Sequence, residues 1–141
     1  MESPNSEKPI PVPDDASRPF WDAAKERRLV IQRCARCGFF QYPPDLICRR
    51  CRCDDLPFVQ VTGRGSIYSH AVYVRSFMAG YVAPYVLALV DLADHPEVRM
   101  MANIVETPID SVVVGMPVEV TFEERGEWLV PQFRGLRPET A

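Results

Sequence analysis

Histidine is nearly absent from this chain: two in 141 residues, His70 and His95. A nucleophile needs an adjacent base and a group that orients the base, and no recognisable set of that kind occurs. Basic charge is not in excess either. Sixteen Lys and Arg against nineteen Asp and Glu give a formal net charge of -3, so the balance does not point to nucleic acid or an anionic membrane as partner. No apolar run approaches the roughly 20 residues of a membrane-spanning helix. The opening Met1-Glu2-Ser3-Pro4-Asn5-Ser6-Glu7 is polar and acidic and lacks the charged-then-apolar order of a secretory signal. A cytoplasmic setting is therefore expected. Thiols stay reduced there, which favours metal over disulfides.

Cysteine, by contrast, is concentrated. Cys34-Ala-Arg-Cys37 and Cys48-Arg-Arg-Cys51 form two C-x-x-C knuckles ten residues apart. Two residues between cysteines let both sulfurs of a tight turn reach one metal, and a second turn completes a tetrahedron. One such pair also fits a redox dithiol; two at this spacing in a short chain fit structural zinc better than redox pairs or disulfides. Four protein ligands leave no open position, so Zn2+ held by Cys34, Cys37, Cys48 and Cys51 is expected to be structural and to do no Lewis-acid chemistry. The fifth cysteine, Cys53, is a bystander or a substitute ligand.

The flanking segments predict a mostly β protein. Residues 1–16 carry Pro4, Pro9, Pro11 and Pro13 among polar residues and read as a flexible or draped arm, with Ile10 and Val12 able to pack onto a surface. A short helix begins near Ser17 as N-cap, with Pro19 in its first turn and Phe20, Ala23, Ala24 and Arg27 at helical spacing. Leu29–Arg33 and Phe39–Tyr42 read as strands entering and leaving the first knuckle. Too few apolar residues lie here for folding without metal, and residues 17–55 are assigned to helix plus zinc ribbon. Residues 56–137 supply β-prone stretches at 58–74, 85–92, 100–105, 118–123 and 128–133. Gly63 and Gly65 suggest a bulge or bend, and Glu124–Glu127 suggest a hairpin turn. Five strands without a long exposed edge point to a small barrel of the oligonucleotide/oligosaccharide-binding (OB) kind.

Several residues invite a functional reading. The linker Arg75-Ser76-Phe77-Met78-Ala79-Gly80-Tyr81-Val82-Ala83-Pro84-Tyr85 is apolar and aromatic for a loop. It reads equally as a contact surface for a ligand or partner and as a cap on the barrel end. Phe20 and Trp21 need a cover. Arg27, Arg28, Arg33, Arg36, Arg49, Arg50 and Arg52 cluster around the ribbon and suit phosphate or an acidic partner, although a solvated surface is the plainer reading for each. The histidines are expected to be satisfied or solvent-facing, and Asp91, Asp94 and Glu97 to be solvated loop charges.

The order of these parts resembles a known family. A Pro-Phe-Trp helix precedes the C-x-x-C ribbon with Pro43-Pro44 between the knuckles. Gly63-x-Gly65, Pro84-Tyr85, Gly115-Met116 and Pro131-x-Phe133-Arg134 follow. From residue 18 to 138 this is similar to acyl-CoA-associated proteins built from a rubredoxin-like zinc ribbon and an OB-fold domain, long classed as a domain of unknown function. The resemblance implies a partner of thiolase-superfamily enzymes that helps bind a CoA thioester. Some members pair with lipid-transfer-protein-like aldolases of steroid side-chain breakdown. It also implies that the chain is not an enzyme alone. The chain ends soon after the barrel and is expected to be free-standing, as an auxiliary subunit in a hetero-oligomer. Phe20, Trp21, Arg75, Phe77, Tyr81 and Tyr85 are the candidate substrate or partner contacts.

Two other functions compete. A single-stranded nucleic-acid-binding module would use aromatics for stacking, but Glu106, Asp110, Glu119, Glu123, Glu124 and Glu127 along the barrel argue against a phosphate-binding stripe. An iron-loaded electron carrier would use the same four cysteines; a colourless zinc protein is expected instead.

Overall fold

The computed structural model of the protein describes residues 8–136. Helix α1 (Arg18–Lys25) is followed by three short strands, β1 (Val30–Arg33), β2 (Phe40–Gln41) and β3 (Phe58–Gln60), which form one sheet in the order β2-β1-β3. The strands β4 (Arg64–Tyr73), β5 (Tyr85–Leu92), β6 (Arg99–Ile104), β7 (Pro117–Arg125) and β8 (Trp128–Gly135) then close a barrel in the order β4-β5-β6-β8-β7. Every pairing is antiparallel except β6 with β8, which meet in parallel at Ile104 and Phe133. The mostly β, five-stranded OB-type barrel expected from the sequence is the fold observed. A 3-10 turn, Ile109–Ser111, bridges β6 and β7. Among the described residues no helix is long and apolar enough to cross a membrane.

The helix is short because its ends are written locally. Ser17 occupies the N-cap position with Pro19 behind it, yet its hydroxyl does not cap the helix; it donates to Asp14 Oδ1 at 2.6 Å and closes the preceding turn. That bond, with the Ser17 amide on the same carboxylate, holds Asp14 below its ordinary pKa. At the other end Arg27 adopts φ +59°. Its amide donates to Ala24 O and that of Arg28 to Ala23 O, the paired C-terminal bonds for which glycine is the usual residue. Arg27 thus terminates the helix rather than extending its periodic face. Phe20, Ala23 and Ala24 are buried, and α1 packs between β1 and β8.

The β-prone stretch 58–74 divides between two sheets. β3 pairs with β1, Val30 opposite Gln60 and Gln32 opposite Phe58, so the expected boundary at residue 56 falls just before a strand that completes the ribbon sheet. The chain then turns at Gly63, φ +83°, and enters the barrel as β4. A side chain at Gly63 would collide with Val120, whose amide donates to Gly63 O at 2.7 Å. The register shift in β4 lies at Tyr68, between Ile67 and Ser69, rather than at the glycines.

One apolar core runs through both parts. Strand β5 alternates half-buried and buried along its length, placing Val86, Ala88, Val90 and Leu92 inside. Ile67, Met100, Val118 and Phe133 fill the barrel, and Phe20, Leu29, Val30 and Ile31 extend the same cluster into the ribbon. The junction is clamped by Asp94. Its carboxylate accepts hydrogen bonds from the Thr62 amide at 2.9 Å and the Thr62 hydroxyl at 2.6 Å, so it is not merely solvated. Burial raises the Asp94 pKa, but the two Thr62 bonds outweigh this and leave it lowered. Beside it His95 stacks on Phe40 of the ribbon, ring centroids 3.8 Å apart, and Asp91 pairs with Arg99 at 2.7 Å.

Two outcomes follow. Gly63→Ala combines a left-handed backbone with a steric clash, and should cost at least about 2 kcal/mol in chemical denaturation; a change within about 0.5 kcal/mol would contradict the corner geometry. Because its pKa is lowered on folding, Asp94 contributes stability that is present above the ordinary carboxylate value of 3.8 and lost as pH falls below it. Asp94→Asn should flatten that part of the stability–pH curve.

Candidate metal centre and aromatic cleft

The two knuckles are built alike. In each, the first cysteine's amide donates to the carbonyl five residues on, Cys34 to Phe39 and Cys48 to Cys53, both at 2.8 Å. The residue after the second cysteine returns an amide to the first cysteine's carbonyl, Gly38 to Cys34 and Arg52 to Cys48, both at 2.9 Å. Both closing residues are left-handed, Gly38 at φ +77° and Arg52 at φ +66°, so the second knuckle places an arginine where the first has the unstrained residue.

The turns bring the Sγ atoms of Cys34, Cys37, Cys48 and Cys51 within 4.8 Å of one another. Cys34 and Cys51 sulfurs are 3.5 Å apart, and Cys37 and Cys48 sulfurs 3.7 Å. A zinc–sulfur bond of about 2.3 Å gives a tetrahedron edge of about 3.8 Å, so these residues fit zinc. The thiols also need a cation. The Cys37 amide, ahead of other contacts, draws the Cys34 pKa down to about 6. The Cys53 amide pulls Cys51 the same way, but burial and the three neighbouring sulfurs outweigh it and push Cys51 up to about 12. One thiolate forms readily at Cys34 while the Cys51 thiol resists ionisation among its neighbours; a divalent ion bound by all four would stabilise the thiolates. Four thiolates on one zinc leave a formal charge of about −2; Arg33, Arg36, Arg50 and Arg52, neighbours of the ligands in sequence, are exposed. Cys53 lies outside the sulfur cluster and accepts the Asp55 amide.

Two buried glutamines, which the sequence reading passed over, position the second knuckle. Gln41 donates to Gln32 Oε1 at 2.9 Å, Gln32 donates to the Asp45 carbonyl at 2.8 Å, and the Arg49 amide donates to Gln41 Oε1 at 3.0 Å. The alternation of β1 and β2 places both side chains on one face, but only the fold shows that face turned towards the loop 45–49. Arg49 closes the same loop by donating to the carbonyls of Tyr42 and Pro43, and is a structural arginine.

A second feature lies on the barrel. Tyr73 and Tyr85 are directly opposite across β4 and β5, their rings stacked 4.9 Å apart, and the linker 74–84 springs from this pair. Phe77 meets Tyr73 edge-on, and Tyr81 tilts against Tyr85. Together with Met78, Leu87 and Asn103 they line a cleft of about 250 Å³. Tyr81, Leu87 and Asn103 also line an adjoining cleft of about 200 Å³, walled by Phe20, Trp21 and Tyr42 and floored by Gln132 and Arg125. The predicted residues Phe20, Trp21, Phe77, Tyr81 and Tyr85 therefore converge on one aromatic surface. Arg75 does not: it is exposed at the start of the linker and lines neither cleft. Phe77 remains 72% exposed, so the linker covers the barrel only in part.

The sequence reading missed Tyr73, Asn103, Gln132 and Arg125. Asn103 is the one with a signal, a lone amide in the apolar strand β6; it donates to Val86 O, while its own amide donates to Gln132 Oε1. Arg125 lies in a segment whose sequence suggests a turn, and it is the buried end of β7. His70, expected to be satisfied or solvent-facing, is half-buried, and its buried Nδ1 has no partner among the described residues.

A metal-holding ribbon joined to an OB barrel with an aromatic cleft defines a zinc-ribbon/OB-fold protein. Two family profiles match it: "ChsH2, rubredoxin-like zinc ribbon domain" over residues 21–56 and "ChsH2, C-terminal OB-fold domain" over residues 58–123. The chain belongs to the ChsH2 zinc-ribbon/OB-fold family. It is 34% identical over 139 residues to a probable enoyl-CoA hydratase alpha subunit of Thermomonospora curvata, a match over 98% of this chain and 43% of that protein. It is 32% identical over 133 residues to the 3-oxo-4,17-pregnadiene-20-carboxyl-CoA hydratase alpha subunit of Mycobacterium tuberculosis, a match over 85% of this chain and 42% of that protein. The chain thus spans a little over two-fifths of these curated relatives. A solved structure described as "Ltp2-ChsH2(DUF35) aldolase" is similar at TM-score 0.81 and 35% identity, over 89% of this chain and 98% of that one. A DUF35 protein of unknown function from Sulfolobus solfataricus shares the fold, TM-score 0.63 at 17% identity, over 86% of each chain.

Metal removal should be diagnostic. Elemental analysis is expected to find one zinc per chain, bound more weakly as pH falls because thiols must lose protons to bind. Chelation, or Cys48→Ser, should erase amide protection across residues 30–60. A ribbon that keeps its protection without metal would contradict this.

Proposed function

We propose that the chain is a non-catalytic subunit that binds a thiolase-superfamily partner, either a thiolase or a lipid-transfer-protein-like aldolase, and helps bind that partner's acyl-CoA substrate. The observation that carries this reading is the likeness to the ChsH2 chain of the solved aldolase, which extends over nearly the whole of that chain. The relatives named as hydratase alpha subunits act on CoA thioesters by name, which fits an acyl-CoA setting. Cys34, Cys37, Cys48 and Cys51 would hold structural zinc. The aromatic cleft would then lie beside the partner's pocket, with Phe77, Tyr81 and Tyr85 on the contact side and Phe20 and Trp21 deeper.

The chemistry of the cleft supports a binding role over turnover. Its walls are aromatic and its floor carries amides and one guanidinium, groups that orient a ligand but do not abstract protons at neutral pH. The barrel's paired acids, such as Glu119 with Arg134 and Glu123 with Arg125, weigh against the nucleic-acid alternative.

Co-purification from the native lysate, with bound proteins identified by mass spectrometry, tests the role. Stoichiometric recovery of a thiolase-superfamily protein is expected; nucleic acid released by high salt would favour the other reading. The isolated chain should show no thiolase, aldolase or hydratase turnover, and turnover at enzymic rates would contradict the proposal. Phe77→Ala with Met78→Ala should weaken partner or acyl-CoA binding by about tenfold or more while leaving the thermal midpoint unchanged.

A further inference from the structure

The N-terminal arm reaches the aromatic cleft. Lys8 Nζ lies 3.2 Å from Glu123 Oε1, and both side chains are only 12% exposed. The same carboxylate oxygen accepts from Arg125 Nε at 3.0 Å. The second amino group of Arg125, Nη2, donates to the Tyr81 hydroxyl at 3.2 Å, while Nη1 donates to the Pro9 carbonyl at 3.4 Å. Lys8 sits over the Tyr81 ring at 4.8 Å, with the Arg125 guanidinium 5.7 Å from the same ring. Beyond it Ile10 lies against the turn at Gly126, within van der Waals reach of any atom added there. Arm, β7 and linker 74–84 therefore converge on one side chain, Tyr81, which lines both clefts.

Apart from the ring contacts of Phe77 with Tyr73 and of Tyr81 with Tyr85, the linker has little to hold it at this point. Its internal ties are the Tyr81 amide on Met78 O at 3.2 Å and the Ala83 amide on the Ser76 hydroxyl at 3.0 Å. Phe77, Met78 and Val82 are more than half exposed. A loop with few buried contacts and weak hydrogen bonds opens locally, unless a side chain anchors it. Charge-assisted bonds at low exposure, with two cations flanking one aromatic ring, are such an anchor.

We infer that Lys8 and Arg125 are positioning residues that strap Tyr81 across the junction of the two clefts, making the arm part of the cleft. The inference concerns the isolated chain and does not depend on which partner or ligand it serves; the cleft's use follows the role proposed above. Lys8→Met keeps the length and apolar stem but removes the charge, and Lys8→Arg keeps the charge.

Amide hydrogen exchange by mass spectrometry, on the zinc-loaded full chain alone, tests it. Lys8→Met and Glu123→Gln should each speed exchange across residues 75–84 by about tenfold, with β5 and β6 unchanged, and Lys8→Arg should restore slow exchange. Lys25→Met, which removes the cation lying 4.2 Å over the Trp128 ring, should leave the linker as it was. Unchanged linker exchange in Lys8→Met, or an equal rise throughout the barrel or in Lys25→Met, would overturn the strap. Failure here would leave the subunit role standing, and absence of a thiolase-like partner would leave the strap standing.

Discussion

The N-terminal half depends on the convergence of four cysteine sulfurs within 4.8 Å of one another. Cys34 ionises easily while Cys51 resists, so the cluster is unstable as four thiolates until a divalent cation neutralises it. Zinc matches the spacing of the sulfurs, and its binding energy becomes folding energy for a ribbon whose strands are two to four residues long. The buried pair Gln32 and Gln41 transmits that order to the loop bearing the second knuckle.

From the ribbon the constraint passes to the barrel through shared structure. β3 belongs to the ribbon sheet and is joined to β4 by a corner that only glycine fits. Thr62 is tied to Asp94, His95 stacks on Phe40, and Phe20 lies in one core with the barrel strands. The deeper cleft is walled by Phe20, Trp21 and Tyr42 from the ribbon side and by Asn103, Gln132 and Arg125 from the barrel. Loss of the metal would therefore remove one wall of the cleft, linking a structural ion to a binding surface it does not touch.

The parts legible in the sequence were those set by short-range rules. C-x-x-C spacing, the apolar run of β5, the alternation of Val118, Val120 and Phe122 with polar residues in β7, Pro19 near a helix start and Gly126 in a hairpin turn each act within a few residues. What escaped depends on contacts distant in sequence. The β-prone run 58–74 looks continuous because propensity cannot reveal that Gly63 sends its two halves into different sheets. Arg125 reads as a turn residue because its partners Lys8, Pro9 and Tyr81 lie far along the chain. Arg27 keeps helical spacing, yet its backbone ends the helix. The aromatic linker was visible as an anomaly; of the six named contacts, Phe20 and Trp21 line one cleft, Phe77 and Tyr85 the adjoining one and Tyr81 both, whereas Arg75 lines neither.

Under the proposed role the docking surface is the linker and helix face, where exposed Phe77 and Met78 line a cleft that includes the Asn103 amide. A hydrogen-exchange footprint of the chain, alone and bound to a purified thiolase-superfamily partner, reads that surface directly. Slowed exchange confined to residues 18–25 and 75–87 is the predicted result. No complex, or protection confined to the 109–116 segment with the linker unchanged, would contradict the placing of the docking face at the cleft.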